Sequence, residues 1–204
     1  MSKLIVIGGG GHGAVVADSA AAQRPGRQIV FCDHDFPERS VVAERWPIVG
    51  RELRDVLRSE DEVVVGVGNN QVRGALLDEA RSLGARIATV VHPSAVVSSG
   101  AALGEGTVVM ANAVVNIAST LGAGCIVNTG ATVDHDCLLG ELNHVCPGAH
   151  LAGGVHSGAQ CWFGIGSSVI QNVSVCEGAL VAAGAVVVGD VTSPRVRGVP
   201  ARPF

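Results

Sequence analysis

A six-residue repeat runs without a break from Ser94 to Gly189. Fourteen of its sixteen hexads carry Val or Leu at the fourth position, the exceptions being Ser157 and Phe163. Small residues stand two positions earlier, and Gly, Asn and Asp are frequent at the first position. A hexapeptide period is typical of β-helices, in which the aliphatic residue points to the axis and Gly or Asn turns the corners. Because three hexads make one triangular coil, the repeat predicts roughly five stacked coils.

The residues before the repeat follow a different pattern, in which apolar strands alternate with helices. We expect strands over 3–7, 28–32, 63–67 and 86–91, and helices over 14–22, over 52–58 and from Asn69 or Asn70 to Leu83. Strands that alternate with helices predict a small parallel sheet. The chain is therefore predicted to hold two domains, a half-Rossmann-like α/β domain over 1–92 and a parallel β-helix over 93–204. A Pro- and Arg-rich tail from Arg195 ends the second domain.

The composition excludes several classes of function. The net charge is −4 and aromatic residues make up 3% of the chain, which gives neither the basic surface nor the stacking platforms of a nucleic-acid-binding protein. No apolar run approaches the ~20 residues of a membrane span. The N-terminus lacks a cleavage region typical of signal peptides, so we expect a cytoplasmic location. None of the six cysteines forms a C-x-x-C pair, and we interpret them as reduced packing residues rather than catalytic thiols.

A glycine-rich loop follows the first strand. Gly8, Gly10 and Gly13 have the G-x-G-x-x-G spacing that lets backbone N–H groups approach phosphates at a helix N-terminus. Asp33, after the second strand, suits the acidic residue expected ~20 residues later. A domain of this size is small for a dinucleotide and fits one nucleotide better, such as a nucleotide-linked sugar. An NAD site and a purely structural turn stay open as alternatives. Gly68, Asn69 and Asn70 end another strand and should border the same crevice.

The histidines of the repeat do not favour a metal site. His144, His150 and His156 are six residues apart and should lie on three different faces of the prism. His135 is flanked by Asp134 and Asp136, and a carboxylate beside an imidazole orients it and raises its basicity, as a general base requires. A solvated corner histidine beside two surface acids is the alternative.

Taken together, these motifs resemble the bacterial nucleotide-aminosugar N-acetyltransferases, including the bacillosamine and perosamine enzymes; the sialic acid O-acetyltransferases share the architecture. The resemblance covers essentially the whole chain. It rests on the Gly-His-Gly loop, the Gly-Asn-Asn strand end, and a hexapeptide repeat that contains Asn128-Thr129, Asp134-His135-Asp136 and Asn143-His144-Val145. It implies a left-handed β-helix assembled as a homotrimer, with acetyl-CoA as cosubstrate and no metal.

The same resemblance implies roles for individual residues. His135 resembles the general base, and Asp136 the acid that raises its basicity, where the family often has Glu. The residues that resemble the acetyl-CoA site are His144, Gly153, Ile165 and Ala183. Those that resemble the nucleotide-sugar site are Gly10, Gly11, His12, Asp33, Gly68 and Asn69, although the family often has Ala-Ser in place of Gly9-Gly10.

The expected reaction is direct attack of a sugar 4-amino group on the thioester of acetyl-CoA, with His135 accepting the proton. A backbone N–H such as that of Gly153 would stabilise the oxyanion. Two other functions remain open: O-acetylation of a sialic-acid-type sugar, and a non-catalytic scaffold or nucleotide-binding regulator. The sequence does not distinguish UDP, dTDP and GDP sugars, nor the sugar's stereochemistry.

Overall fold

The computed structural model describes residues 2–196 and contains two compact units, divided after Pro93. The end of the expected tail, residues 197–204, lies outside the described residues. Among the described residues, no helix is long and apolar enough to cross a membrane.

The first unit is built on a six-stranded sheet of order β3-β4-β2-β1-β5-β6. Strands β1, β2, β4, β5 and β6 are parallel, and β3 adds an antiparallel edge. The elements are β1 (Leu4–Ile7), α1 (Gly11–Gln23), β2 (Ile29–Cys32), β3 (Val41–Val42), β4 (Trp46–Gly50), α2 (Leu53–Val56), β5 (Glu62–Val65), α3 (Asn70–Ser82), β6 (Arg86–Ile87) and β7 (Val90–Val91).

Several details of this unit differ from the expectation, among them β3, which no expected strand covers, and β5, which ends at Val65 and not at 67. The segment expected as one strand over 86–91 consists of the two short strands β6 and β7. The α1 helix begins at Gly11, three residues before the expected start, with Gly10 as its N-cap. The loop glycines are therefore part of the helix N-terminus, where the first N–H groups have no partner within the helix.

The second unit is a left-handed parallel β-helix whose strands are two residues long, one in each hexad and a last one after the repeat. The strands are β8 (Val96–Val97), β9 (Ala102–Leu103), β10 (Val108–Val109), β11 (Val114–Val115), β12 (Thr120–Leu121), β13 (Ile126–Val127), β14 (Thr132–Val133), β15 (Leu138–Leu139), β16 (His144–Val145), β17 (His150–Leu151), β18 (His156–Ser157), β19 (Trp162–Phe163), β20 (Ser168–Val169), β21 (Ser174–Val175), β22 (Leu180–Val181), β23 (Val186–Val187) and β24 (Arg195–Val196).

These strands stack into three faces, in which each strand pairs with the one three positions later, except that β22 pairs with β24. Face 1 contains β10, β13, β16, β19, β22 and β24; face 2 contains β8, β11, β14, β17, β20 and β23; face 3 contains β9, β12, β15, β18 and β21. The fourth residue of most hexads is buried, as expected for the inward position. His144, His150 and His156 lie on faces 1, 2 and 3 respectively, as the six-residue interval predicts.

Close packing of the coils depends on glycine at the corner between faces 3 and 1. A Cβ atom on Gly140 would lie 2.6 Å from the backbone N of Ala159, and the equivalent glycines one coil away, Gly122 and Gly158, meet backbone atoms at similar distances. Asn143 bridges the same coils, because its side-chain amide donates to the carbonyls of Gly140 and Gly158. Its Oδ1 atom accepts the N–H of Cys161. This asparagine therefore has a structural role.

Candidate functional site

His135 and Asp136 form a pair at the corner between faces 2 and 3, which we call the corner site. The Nδ1 atom of His135 lies 2.7 Å from Oδ2 of Asp136. Since a carboxylate only accepts, Nδ1 carries a proton, and Nε2 is the atom that gains or loses the second proton. The hydrogen bond that His135 donates to Asp136 raises the pKa of His135 above its usual value. The side chains are 58% and 66% exposed, so a substrate can reach the imidazole.

The backbone of the corner site is held by Asp134. Its Oδ1 atom accepts the N–H of His135 at 2.9 Å and the side-chain amide of Asn116 at 2.6 Å. These bonds hold the pKa of Asp134 below its usual value, and the bond from Asn116 has the largest effect. Of the two acids that flank His135 in sequence, Asp134 therefore fixes the backbone and Asp136 sets the imidazole tautomer. The role of Asn116 was missed from the sequence because it lies one coil away.

Gly153 provides the space that the imidazole occupies. A Cβ atom at this position would lie 2.5 Å from Cε1 and 2.6 Å from Nε2 of His135. The carbonyl of Ala152 accepts a hydrogen bond from the thiol of Cys137, which packs inside the prism. In a trans peptide the next N–H points the opposite way, so the Gly153 N–H faces away from the interior of the prism. The structure thus places Gly153 beside the general-base candidate.

The other residues expected at the acetyl-CoA site lie elsewhere in the β-helix. Ile165 and Ala183 are both exposed and lie one coil apart at the corner between faces 1 and 2. His144 is 4% exposed on face 1, where its ring contacts the edge of Trp162 with centroids 4.4 Å apart. The Nε2 atom of His144 lies 3.1 Å from the side-chain amide of Asn128. A single chain therefore brings His135, Asp136 and Gly153 together and keeps Ile165 and Ala183 at a different corner.

A cavity of about 630 Å³ in the first unit, which we call the glycine-loop pocket, contains most of the expected nucleotide-sugar residues. Its lining includes Gly10, Gly11, His12, Asp33 and Gly68, at the carboxyl ends of β1, β2 and β5. Parallel sheets bind ligands at this edge. Asn69 has another role in the structure, because its Oδ1 atom accepts the N–H of Val72 at 3.0 Å and caps α3.

Asp33 fixes the loop that forms this pocket. Its carboxylate accepts the N–H groups of Gly9 and Asp35 and forms an ion pair with Arg39. Burial alone would raise the pKa of Asp33, but these bonds hold it below its usual value. Asp33, His34 and Asp35 are close enough together to hold a cation. Because Asp33 is already engaged by protein donors, we assign no metal to this cluster.

All six cysteines are free. Burial raises the pKa of Cys146 to about 12 and that of Cys161 to about 11. Cys32 borders the glycine-loop pocket, where burial followed by the charge of Glu52 raises its pKa to about 12. A thiol with such a pKa is protonated near neutral pH and is a poor nucleophile.

Comparison with known proteins relates both parts of the chain to one group of enzymes. Residues 3–80 match the family described as the PglD N-terminal domain. A 109-residue stretch is 32% identical to the UDP-N-acetylbacillosamine N-acetyltransferase of Bacillus subtilis; it covers 52% of this chain and 50% of that enzyme. The match thus spans half the length of this curated relative.

Solved structures extend the similarity to the whole chain. The acetyltransferase domain of PglB from Neisseria gonorrhoeae is 42% identical over 100% of both chains, with a TM-score of 0.92. PerB from Caulobacter crescentus, solved with CoA and GDP-perosamine, is 39% identical over 99% of this chain and 97% of its own, with a TM-score of 0.90. The chain belongs to the nucleotide-aminosugar N-acetyltransferase family. Other structures of this family contain acetyl-CoA, or carry a histidine changed to asparagine or alanine.

Proposed function

We propose that the protein transfers the acetyl group of acetyl-CoA to the 4-amino group of a nucleotide-linked sugar. The observation that carries the proposal is the corner site, in which a carboxylate accepts the Nδ1–H of the imidazole and leaves Nε2 as its basic atom beside a glycine. Its relatives include an acetyltransferase domain bound to acetyl-CoA and an enzyme bound to CoA and GDP-perosamine.

The corner site supports a direct-attack mechanism. The neutral amine attacks the thioester carbonyl, the carbon–sulfur bond breaks, and CoA leaves as a thiolate. The attacking nitrogen keeps one of its two protons in the product amide, and His135 accepts the other at Nε2. His135 can return that proton to the departing sulfur, so no charge is left on the enzyme. Asp136 stabilises the imidazolium that forms, and the Gly153 N–H stabilises the oxyanion. The high pKa values of the buried thiols argue against a cysteine acyl-enzyme.

The ligand assignments belong to the proposal as well. The glycine-loop pocket would hold the nucleotide-sugar through Gly10, Gly11, His12, Asp33 and Gly68. The acetyl-CoA site would use His144, Gly153, Ile165 and Ala183. Ile165 and Ala183 lie at a different corner from His135, so a site that includes all three needs a neighbouring copy. This supports an oligomer, and we propose the homotrimer that the family resemblance implies. Light scattering of the purified protein should give three times the 20.6 kDa chain mass. We also propose that the protein acts in the cytoplasm.

Thiol release from acetyl-CoA tests the activity against a panel of UDP-, dTDP- and GDP-linked 4-amino-sugars. We expect turnover with at least one of these amines and none with the matching 4-hydroxy-sugars. Turnover with a hydroxyl acceptor alone would identify an O-acetyltransferase. Absence of any turnover, with intact acetyl-CoA binding, would contradict the proposed activity.

A further inference from the structure

A fully buried arginine lies behind the glycine-loop pocket. Arg73 is 1% exposed and occupies the buried stripe of α3 together with Asn70, Leu77 and Ala80. Its Nη1 atom donates to the carbonyls of Val67, at 3.2 Å, and Gly68, at 2.9 Å. Its Nη2 atom donates to Oδ1 of Asn70 at 2.8 Å. Burial of a guanidinium is costly, so a charge in this position calls for a functional explanation.

The hydrogen bonds of Arg73 set the direction of two peptide groups. In a trans peptide, the carbonyl and the following N–H point in opposite directions. Because Arg73 binds the carbonyls of Val67 and Gly68, the N–H groups of Gly68 and Asn69 point away from it, and Gly68 lines the pocket. Gly68 thus shares the lining of the pocket with Gly10 and Gly11 at the N-terminus of α1, a place suited to phosphate oxygens.

Arg73 also acts on His12, which lines the same pocket. Burial, followed by the charge of Arg73, lowers the pKa of His12 to about 4. The imidazole therefore stays uncharged across the physiological range, and the positive charge comes from Arg73 behind the loop. The other titratable groups that line this pocket are Cys32, Asp33, His34, Arg51, Glu52 and Glu79.

We propose that Arg73 is a positioning residue for the diphosphate of the nucleotide-sugar, acting through its hydrogen bonds to the Val67–Gly68 loop and through its positive charge behind the pocket. The inference rests on the proposed function for the identity of the ligand. Arg73 itself does not touch the substrate. It aims loop donors at the diphosphate and supplies a fixed positive charge whose strength does not change with pH.

Arg73→Met and Arg73→Lys separate the two contributions. Calorimetry would use GDP-perosamine and a UDP-linked 4-amino-sugar between about pH 5 and pH 7, where a diphosphate diester does not titrate. Arg73→Met should weaken binding about tenfold at the upper end of this range. Because loss of the cation raises the pKa of His12, binding by this variant should strengthen as the pH falls. Arg73→Lys keeps the charge but loses the forked geometry, so it should bind weakly without that pH dependence.

A titration of the His12 imidazole by NMR, without ligand, gives an independent measurement. The pKa of His12 should rise in Arg73→Met and stay low in Arg73→Lys. If Arg73→Met does not fold, Asn70→Asp serves instead, since a carboxylate placed on the guanidinium offsets its charge and should also raise the pKa of His12. Arg45→Met is the control, because Arg45 lies on the surface against Trp46.

Two results would overturn the inference: nucleotide-sugar affinity that is unchanged in Arg73→Met, or a His12 pKa that does not move in either Arg73→Met or Asn70→Asp. Failure of the proposed function would look different. The wild-type protein would then bind neither nucleotide-sugar, while the ligand-free titration would still report the effect of Arg73 on His12.

Discussion

At the scale of single residues, the chemistry of the corner site follows from one hydrogen bond. Asp136 holds Nδ1 of His135 and leaves Nε2 as the basic atom. Asp136 does so with a positive φ of 58°, a conformation that asparagine and aspartate tolerate better than most residues. Asp136→Asn is therefore a conservative change that alters charge while keeping the backbone.

His135→Asn and His135→Ala should each lower kcat by ~10²-fold or more, because proton transfer by a positioned base contributes ~10²–10⁴-fold. The KM for acetyl-CoA should change little, since the base acts in the transition state. Steady-state kinetics with the amine substrate measure both values. Near-wild-type kcat in both variants would assign the proton to another group and contradict the mechanism.

Asp136→Asn should cost less activity than loss of His135, and it should move the pH profile. The wild-type rate should rise with pH as His135 loses its proton, with a midpoint above the usual histidine pKa, because Asp136 raises that pKa. An amide cannot stabilise the imidazolium as a carboxylate does, so the midpoint of the variant should fall to lower pH, with a lower plateau. A profile of kcat/KM against pH tests the shift; an unmoved midpoint would assign it to another group.

Gly153→Ala tests the space beneath the imidazole. The added Cβ atom would lie 2.5 Å from Cε1 of His135, so the ring must move and kcat should fall by ~10-fold or more. Gly189→Ala is the matched control at the same corner two coils away, because its Cβ would meet nothing within 4 Å. Equal activity of the two variants would show that the imidazole position is not critical.

At the scale of elements, much of the β-helix could be predicted from the period alone. Each hexad forms one two-residue strand, and His144, His150 and His156 lie on three different faces, because the fold repeats every eighteen residues. The residues that contact or support His135 were harder to predict from the sequence. Asn116 and Gly153 lie about one coil away on either side, and their contacts depend on stacking. Arg73 shows the same limit: nothing in the sequence singled it out, because its loop partners are set by the tertiary structure.

Ser157→Val should stabilise the β-helix. Ser157 stands in the inward column between Leu139 and Val175, and its hydroxyl is buried without a hydrogen-bond partner among residues 2–196. Removal of an unsatisfied hydroxyl and addition of apolar volume should raise stability by about 1 kcal/mol. Thermal unfolding measures the change, with Ser168→Val on the outer position of β20 as control. A lower melting temperature would show that the column is narrower at this coil than its neighbours indicate.

At the scale of the whole molecule, the two units have different sequence patterns and different proposed ligands. The first unit matches the PglD N-terminal domain and contains the glycine-loop pocket, and the second contains the corner site. This division was expected from the sequence as 1–92 and 93–204, with the nucleotide-sugar in the first domain. That assignment of ligands stays a prediction.

Asp33→Asn tests the assignment, because Asp33 supports the glycine loop without belonging to the β-helix. Its carboxylate accepts the N–H groups of Gly9 and Asp35 and pairs with Arg39. An uncharged amide accepts these donors less strongly, so the loop should loosen and the Kd for the nucleotide-sugar should rise about tenfold. The Kd for acetyl-CoA should stay within about twofold, since its expected residues lie in the second unit. Calorimetry with each ligand in turn measures both constants, and Asp18→Asn on the exposed side of α1 is the control. Weaker acetyl-CoA binding with unchanged nucleotide-sugar binding would mean that the two ligands have been assigned to the wrong units.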